Sequence, residues 1–310
     1  MFYEIKYKNS VGEEVHFKAE KKGNLFVAPD EPSIPSSGNP YRLMMFEGLG
    51  EVAAEMHLSK SFAQDGSTLS STVLSERHPY LQFVLVGKDW EDLSRIRRQA
   101  TRVFNPKSKG TLEFSYGANT YVLNVIPESL PVYSQEDTSG KTQVASVSLV
   151  APNPYWQNIE ESKADISTET GNIEFPLEIP AEGLELSIRT ISFITNIYNQ
   201  GDVETPIKVK LKAVGTVVNP IIENLDTGEF IRVKRELAEG DMLEINTAFG
   251  NKRVEIIKPD GSRENVFHYI DYKSTFFQLV GGDNTIKYDA EVGENNPDVS
   301  IYYTPNYLGI

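Results

Sequence analysis

The chain has 310 residues, a formal net charge of −14, no cysteine and a mean hydropathy of −0.35. Without cysteine it can form neither disulfides nor thiolate zinc sites, and it offers no thiol nucleophile. No run approaches the roughly 18 apolar residues of a membrane span, and the opening M-F-Y-E-I-K-Y-K-N-S lacks the basic start and apolar middle of a signal peptide. The chain is therefore expected to be non-membrane and to fold in a cytoplasm, and its length suggests roughly two domains of about 100–200 residues.

Charge is uneven along the chain. Residues 1–150 hold 16 Lys and Arg against 18 Asp and Glu, whereas residues 151–310 hold 14 against 26. An acidic balance argues against recognition of nucleic acid by phosphate neutralisation and suits solubility.

In chain order, Phe2–Lys8 and Val15–Phe17 read as short strands around the turn at Asn9–Gly12. Gly23–Asn24 marks a turn before Leu25–Ala28, and Pro29–Pro40, with four prolines, reads as an extended arm or binding loop. Gly48 and Gly50 form a turn, after which Val52, Ala54, Met56 and Leu58 alternate as one face of a strand. Gln64–Ser67 is a tight turn by composition, and Val73–Arg77 and Tyr80–Val86 follow as strands, the latter apolar enough to be central.

Asp89, with Asp92 three residues on, predicts a capped helix start. Trp90, Leu93, Ile96, Ala100, Val103 and Phe104 recur at helical spacing, and Asn105–Pro106 ends the run. Arg95, Arg97, Arg98 and Arg102 fill the opposite surface, as a solvated face or a salt-bridging contact with a neighbouring protein. Leu112–Tyr116 and Tyr121–Ile126 form a hairpin across Gly117–Asn119, and Leu130–Tyr133 and Gln143–Val150 complete an α+β domain of many strands and one helix.

The stretch A-P-N-P-Y-W-Q at Ala151–Gln157 then interrupts the strand pattern. Pro152 and Pro154 each remove a donor and fix φ, and Tyr155 and Trp156 are placed to pin the rigid segment. The expectation is a first domain over 1–150, a joint over 151–157 and a second domain over 158–310.

Beyond the joint the pattern is short strands and turns. The candidates are Ile173–Ile179, Leu184–Ile188, Phe193–Tyr198, Ile207–Ala213, Ile221–Asn224, Phe230–Val233, Met242–Asn246, Arg253–Lys258, Thr275–Leu279, Thr285–Asp289 and Val299–Thr304. Such spacing predicts a two-sheet antiparallel sandwich, with P-D-G at Pro259–Gly261 the clearest hairpin turn.

Catalytic patterns are missing. His16, His57, His78 and His268 are scattered and give no zinc motif, no G-x-S-x-G elbow occurs, and Gly48-x-Gly50 lacks the third glycine of a dinucleotide loop. Glu160–Glu161, Asp202 with Glu204 and Glu236 with Glu239 pair carboxylates, as an acidic domain does by chance, and Asp202 and Glu204 lack a calcium loop. No catalytic, metal or cofactor residue is assigned. Tyr155, Trp156, Phe276, Phe277, Tyr302 and Tyr303 suit either core and cross-strand packing or, in the alternative reading, a carbohydrate-binding adhesin face.

Several stretches together resemble the distal tail protein family of long-tailed phages and prophages of Gram-positive bacteria. They are E-G-L-G at Glu47–Gly50, S-K-S-F-A-Q-D-G-S at Ser59–Ser67, L-S-E-R at Leu74–Arg77, the helix Asp89–Pro106 running into G-T-L-E-F-S-Y, and A-P-N-P-Y-W at Ala151–Trp156. N-Q-G-D-V-E-T-P-I-K-V-K-L, N-L-D-T-G-E-F-I and G-G-D-N-T-I-K-Y extend the match through the second half. The resemblance implies a mainly β chain: a tail-tube-like N-terminal sandwich with one helix, then a galectin-like sandwich projecting outward. It further implies a non-enzymatic virion protein of the tail tip, made in the host cytoplasm. Six copies would form a ring joining the tail-tube protein to the tail-associated baseplate protein and receptor-binding proteins, with non-specific passage of DNA through the lumen. Pro35, Ser36, Gly38, Gly48, Gly50, Asp65 and Gly66 are the expected ring contacts.

Overall fold

A computed structural model describes residues 2–22, 25–27, 39–134, 141–171, 187–191 and 193–310. These form two compact units, Met1–Ile159 with Tyr307–Ile310, and Glu160–Asn306. The arm expected at Pro29–Pro40 (all but Asn39 and Pro40), the turn at Gly23–Asn24, the strand at Ile173–Ile179 and the start of that at Leu184–Ile188 lie outside the described residues.

Unit 1 contains β1 (Phe2–Asn9), β2 (Glu14–Lys22), β3 (Leu25–Val27), β4 (Tyr41–Glu47), β5 (Ala54–Ser59), β6 (Thr68–Leu74), β7 (Tyr80–Val86), α1 (Trp90–Val103), β8 (Gly110–Tyr116), β9 (Asn119–Pro127), β10 (Val132–Tyr133), β11 (Thr142–Val150) and β12 (Trp156–Asn158). The sheet order is β3-β2-β1-β8-β9-β11-β7-β4. Pairing of β11 with β9 only at Leu149↔Pro127 and Val150↔Ile126 lets this long sheet turn over and close a sandwich on itself. β7 alternates as a strand with one wet face: Leu81, Phe83 and Leu85 are buried while Tyr80, Gln82 and Val84 are half-exposed. Each such side chain contributes about 1.5–3 kcal/mol by leaving water.

The helix starts where its cap predicts. The Asp92 N–H donates to Asp89 Oδ1 at 2.9 Å and the Lys88 N–H to Asp92 Oδ2 at 3.1 Å. Leu93, Ile96, Ala100 and Val103 pass into the core, where α1 packs on β7 and β2, while Trp90 is exposed rather than part of the stripe. Of the four arginines, Arg95 pairs with Asp92, Arg102 with Glu13, and Arg97 lies over the Tyr133 ring.

Unit 2 contains β13 (Ser162–Asp165), β14 (Ser167–Gly171), β15 (Ser187–Ile191), β16 (Ile194–Asn199), β17 (Ile207–Ala213), β18 (Val217–Val218), β19 (Ile221–Asn224), β20 (Glu229–Arg232), β21 (Glu236–Leu237), β22 (Met242–Asn246), β23 (Arg253–Ile257), β24 (Arg263–Asn265), β25 (Gly282–Asp289) and β26 (Pro297–Tyr303); β27 (Asn306–Tyr307) carries the chain out of it. A six-stranded sheet, β13-β26-β17-β22-β23-β24, faces a four-stranded one, β16-β25-β19-β20, and every ladder is antiparallel. Val209, Leu211, Ile245, Val254 and Ile301 from the first sheet meet Ile197, Ile222, Ile231 and Ile286 from the second in one core. Fold class is thus mainly β, two sandwiches with a single described helix in the first.

Two sequence expectations change here. Thr275–Leu279 is not a strand, because only Leu279 bridges, to Thr205. The strand expected at Val73–Arg77 instead runs Thr68–Leu74, as β6.

A projecting hairpin and the buried arginine at its root

β5 and β6 form a two-stranded sheet by themselves, with every residue exposed except the half-buried Leu74. Ala54 pairs with Leu74, Met56 with Thr72 and, past an irregularity between His57 and Leu58, Leu58 with Leu69. Paired residues share a face, so Ala54, Met56, Leu58, Leu69 and Leu74 form one face that is apolar but for Thr72. Nothing among the described residues of unit 1 covers it. At the tip Phe62 is fully exposed, and Asp65 and Gly66 follow, with Gly66 at φ 79° supplying the turn. The Ser61 N–H donates to Gln64 Oε1 at 3.0 Å, and Gln64 Nε2 reaches Thr68 Oγ1, so the tip is tied by its own side chains. Of the alternation expected at Val52–Leu58, Ala54, Met56 and Leu58 form a face, exposed among the described residues, while Val52 lies ahead of β5 and is half-buried.

The root of the hairpin is fixed by Arg77, a guanidinium only 1% exposed. Its Nη1 donates to Gly48 O at 2.9 Å, its Nε to Pro154 O at 2.7 Å and its Nη2 to Leu308 O at 2.5 Å. Its backbone also bridges Ala151 in both directions. A charge taken out of water needs such a full set of acceptors, and the planar fork reaches three carbonyls at once. Burial lowers the Arg77 pKa from its ordinary value, opposed by the nearby charge of Glu51. Glu51 itself is held below the usual carboxylate range by its own N–H, those of Gly50 and Gly48, and Arg77; the Gly48 N–H donates to its Oε2 at 3.0 Å.

Four stretches with no visible connection in the sequence therefore meet at one point. E-G-L-G supplies Gly48, whose φ of 111° and close approach to Pro79 leave no room for a side chain: a Cβ would lie 2.9 Å from Pro79 Cα. L-S-E-R supplies Arg77. A-P-N-P-Y-W supplies the Pro154 carbonyl and Trp156, whose buried indole donates to Gly48 O at 3.3 Å and contacts Phe114. The chain's last residues supply Leu308 O, and the Ile310 N–H donates to Leu49 O at 3.2 Å.

The expected site residues are distributed as follows. Pro35, Ser36 and Gly38 lie outside the described residues. Gly48 is buried at the root, Gly50 is exposed beside it with Gly309 against it, and Asp65 and Gly66 are at the hairpin tip. Pro152, Pro154, Tyr155 and Trp156 all belong to unit 1, and the chain passes to unit 2 only after Ile159. Pro152 is exposed, Pro154 buried and Tyr155 half-buried, its N–H donating to Asn153 Oδ1. Of the aromatics considered for a sugar-binding face, Trp156 and Phe277 are core residues. Sequence reasoning gave Arg77 and the terminal Leu308–Ile310 no role.

Among the described residues no group of three or more His, Cys, Asp or Glu side chains is placed to hold a metal ion. No described helix is long and apolar enough to cross a membrane.

Comparison with known families and structures agrees with this architecture. Residues 36–151 match the phage tail protein RIFT-related domain, and residues 200–307 match the siphovirus-type tail component, C-terminal domain. The fold is similar to that of the Dit (gp 19.1) protein of phage SPP1, described as a paradigm of hub adsorption apparatus in Gram-positive infecting phages. The TM-score is 0.62 at 13% identity, covering 86% of this chain and 93% of that one. It is also similar to a chain of the phage P2 baseplate in its activated conformation with calcium, at TM-score 0.54 and 10% identity over 100% of both chains. The strontium form gives 0.53. No curated protein sequence matches significantly.

Proposed function

We propose that this chain, which belongs to the distal tail protein family of siphophages, is a structural hub of the tail tip in which six copies close into a ring through unit 1. The ring joins the tail-tube protein to the tail-associated baseplate protein, carries receptor-binding proteins and leaves a channel through which DNA passes without sequence recognition. The role is architectural and requires no turnover, and its location is the virion.

The observation that carries this reading is the uncovered face of the β5–β6 hairpin. A two-stranded hairpin is marginal alone in water, and an exposed apolar face with open strand edges marks an association surface. A second copy of the chain is the occupant we assign. Each chain presents the β5–β6 hairpin once, so a head-to-tail contact repeats around a closed ring and covers that face in every copy. The rigid root at Arg77 supports this, because it fixes the angle at which the hairpin leaves the sandwich.

Light scattering and negative-stain microscopy of the full chain, alone and with the tail-tube protein, test the reading. Annular particles of six copies are expected. Replacing Met56, Leu58 and Leu69 together by Ser should abolish them without unfolding the protomer. Tail tips that lack the chain, or rings undisturbed by that triple substitution, overturn it.

A further inference from the structure

Unit 2 carries exposed rings at Phe249, Phe267 and Tyr272, and the first two are tied to its core through Phe276, which packs against that core. Phe249, in the turn between β22 and β23, is 78% exposed, Phe267 is 44% exposed, and Tyr272 is 86% exposed. Phe267 stacks on Phe276 with centroids 5.5 Å apart and planes 12° from parallel. Lys252 Nζ lies 4.8 Å from the Phe249 centroid and 5.4 Å from that of Phe276, which joins the turn to the stacked pair. Lys273 Nζ stands 5.7 Å from the Tyr272 centroid on the same segment. The strip is thus aromatic and cationic, in a half of the chain whose acidic residues outnumber its basic ones by 26 to 14.

The polar groups around the strip are already engaged. Asp271 accepts from the Lys273 N–H at 3.0 Å and pairs with Lys234 at 3.0 Å, which holds its carboxyl below the usual range. Arg253 pairs with Glu244, Asn265 Oδ1 accepts from the Phe267 N–H, and Ser274 Oγ accepts from the Arg232 N–H. Among the described residues Lys252 and Lys273 have no carboxylate partner. A sugar needs several donors and acceptors converging beside its stacking ring, whereas the unengaged charges beside these rings are the two ammonium groups of Lys252 and Lys273. Exposed rings flanked by unpaired lysines instead fit a protein surface that presents carboxylates beside aliphatic groups.

We infer that this strip, centred on Phe249, Lys252, Phe267 and Phe276, is a docking surface for an acidic, aliphatic-rich face of another tail-tip protein. The inference rests on the hub reading above and adds to it the location and chemistry of one contact.

The test uses full-length chain carrying the photo-crosslinking residue p-benzoylphenylalanine in place of Phe249 or Phe267, incorporated into assembled tails. The expected result is a crosslink to one virion protein, at a segment with more Asp and Glu than Lys and Arg. Joint Lys252→Glu and Lys273→Glu substitution should cut its yield at least tenfold, whereas Lys252→Arg with Lys273→Arg should keep it. Tails that contain the chain but give no crosslink there, a crosslink to a basic or neutral segment, or a yield indifferent to charge reversal overturn the docking surface alone. Tails without the chain overturn the hub reading, and this inference with it.

Discussion

Set side by side, the hairpins β5–β6 and β8–β9 of unit 1 share antiparallel pairing and apolar alternation, yet their faces meet different surroundings. In β8–β9, Leu112, Phe114, Leu123 and Val125 all pass into the core beside β1 and β11. In β5–β6, Met56, Leu58 and Leu69 stand in solvent. Periodicity determines which residues share a face, and the surroundings determine whether that face is buried. An apolar face exposed among the described residues is the kind that marks an association surface.

The comparison can be sharpened by substitution, beginning with the largest effect. Leu123→Ala in the buried hairpin should cost about 2–5 kcal/mol in urea unfolding, whereas Met56→Ser, Leu58→Ser and Leu69→Ser should each change protomer stability by no more than about 0.5 kcal/mol while weakening ring formation. Equal losses in the two hairpins would erase the distinction.

Arg77→Leu should cost about 3 kcal/mol or more, because the carbonyls of Gly48, Pro154 and Leu308 lose a charged donor. Unfolding followed by Trp156 fluorescence, with Trp90 replaced by Phe, checks this. If the root sets the hairpin's direction, ring assembly should fail even under conditions where the variant is folded.

On the alkaline side, burial pushes the Tyr7 and Tyr41 hydroxyls up to about 12, and neither has a hydrogen-bond partner among the described residues. A folded pKa above the unfolded one means stability that is complete below about pH 10 and lost as pH rises towards 12. Tyr7→Phe should therefore shift the alkaline unfolding midpoint of unit 1 upward and leave its neutral-pH stability within about 1 kcal/mol, or raise it. A pH titration of circular dichroism measures both. Asp89→Ala at the helix cap should cost about 1 kcal/mol by thermal unfolding.

Much of the fold could be read from the sequence where local chemistry decides it. Asp89 and Asp92 announced α1, and β17, β19 and β22 coincide with the apolar runs Ile207–Ala213, Ile221–Asn224 and Met242–Asn246. The root of the hairpin was legible only as unconnected motifs. Arginine is rarely buried, so nothing local marked Arg77, and its contact with Leu308 spans 231 positions. The pairing of Phe249 with Lys252 and Phe276 depends likewise on a turn and a loop that only the folded sheet brings together.

The return of Tyr307–Ile310 to the first unit has a consequence for biosynthesis. The root around Arg77 lacks Leu308 until position 308 has been synthesised, so a polypeptide stopped anywhere within unit 2 cannot finish unit 1. The hairpin's root is thereby completed only after the second unit has been made.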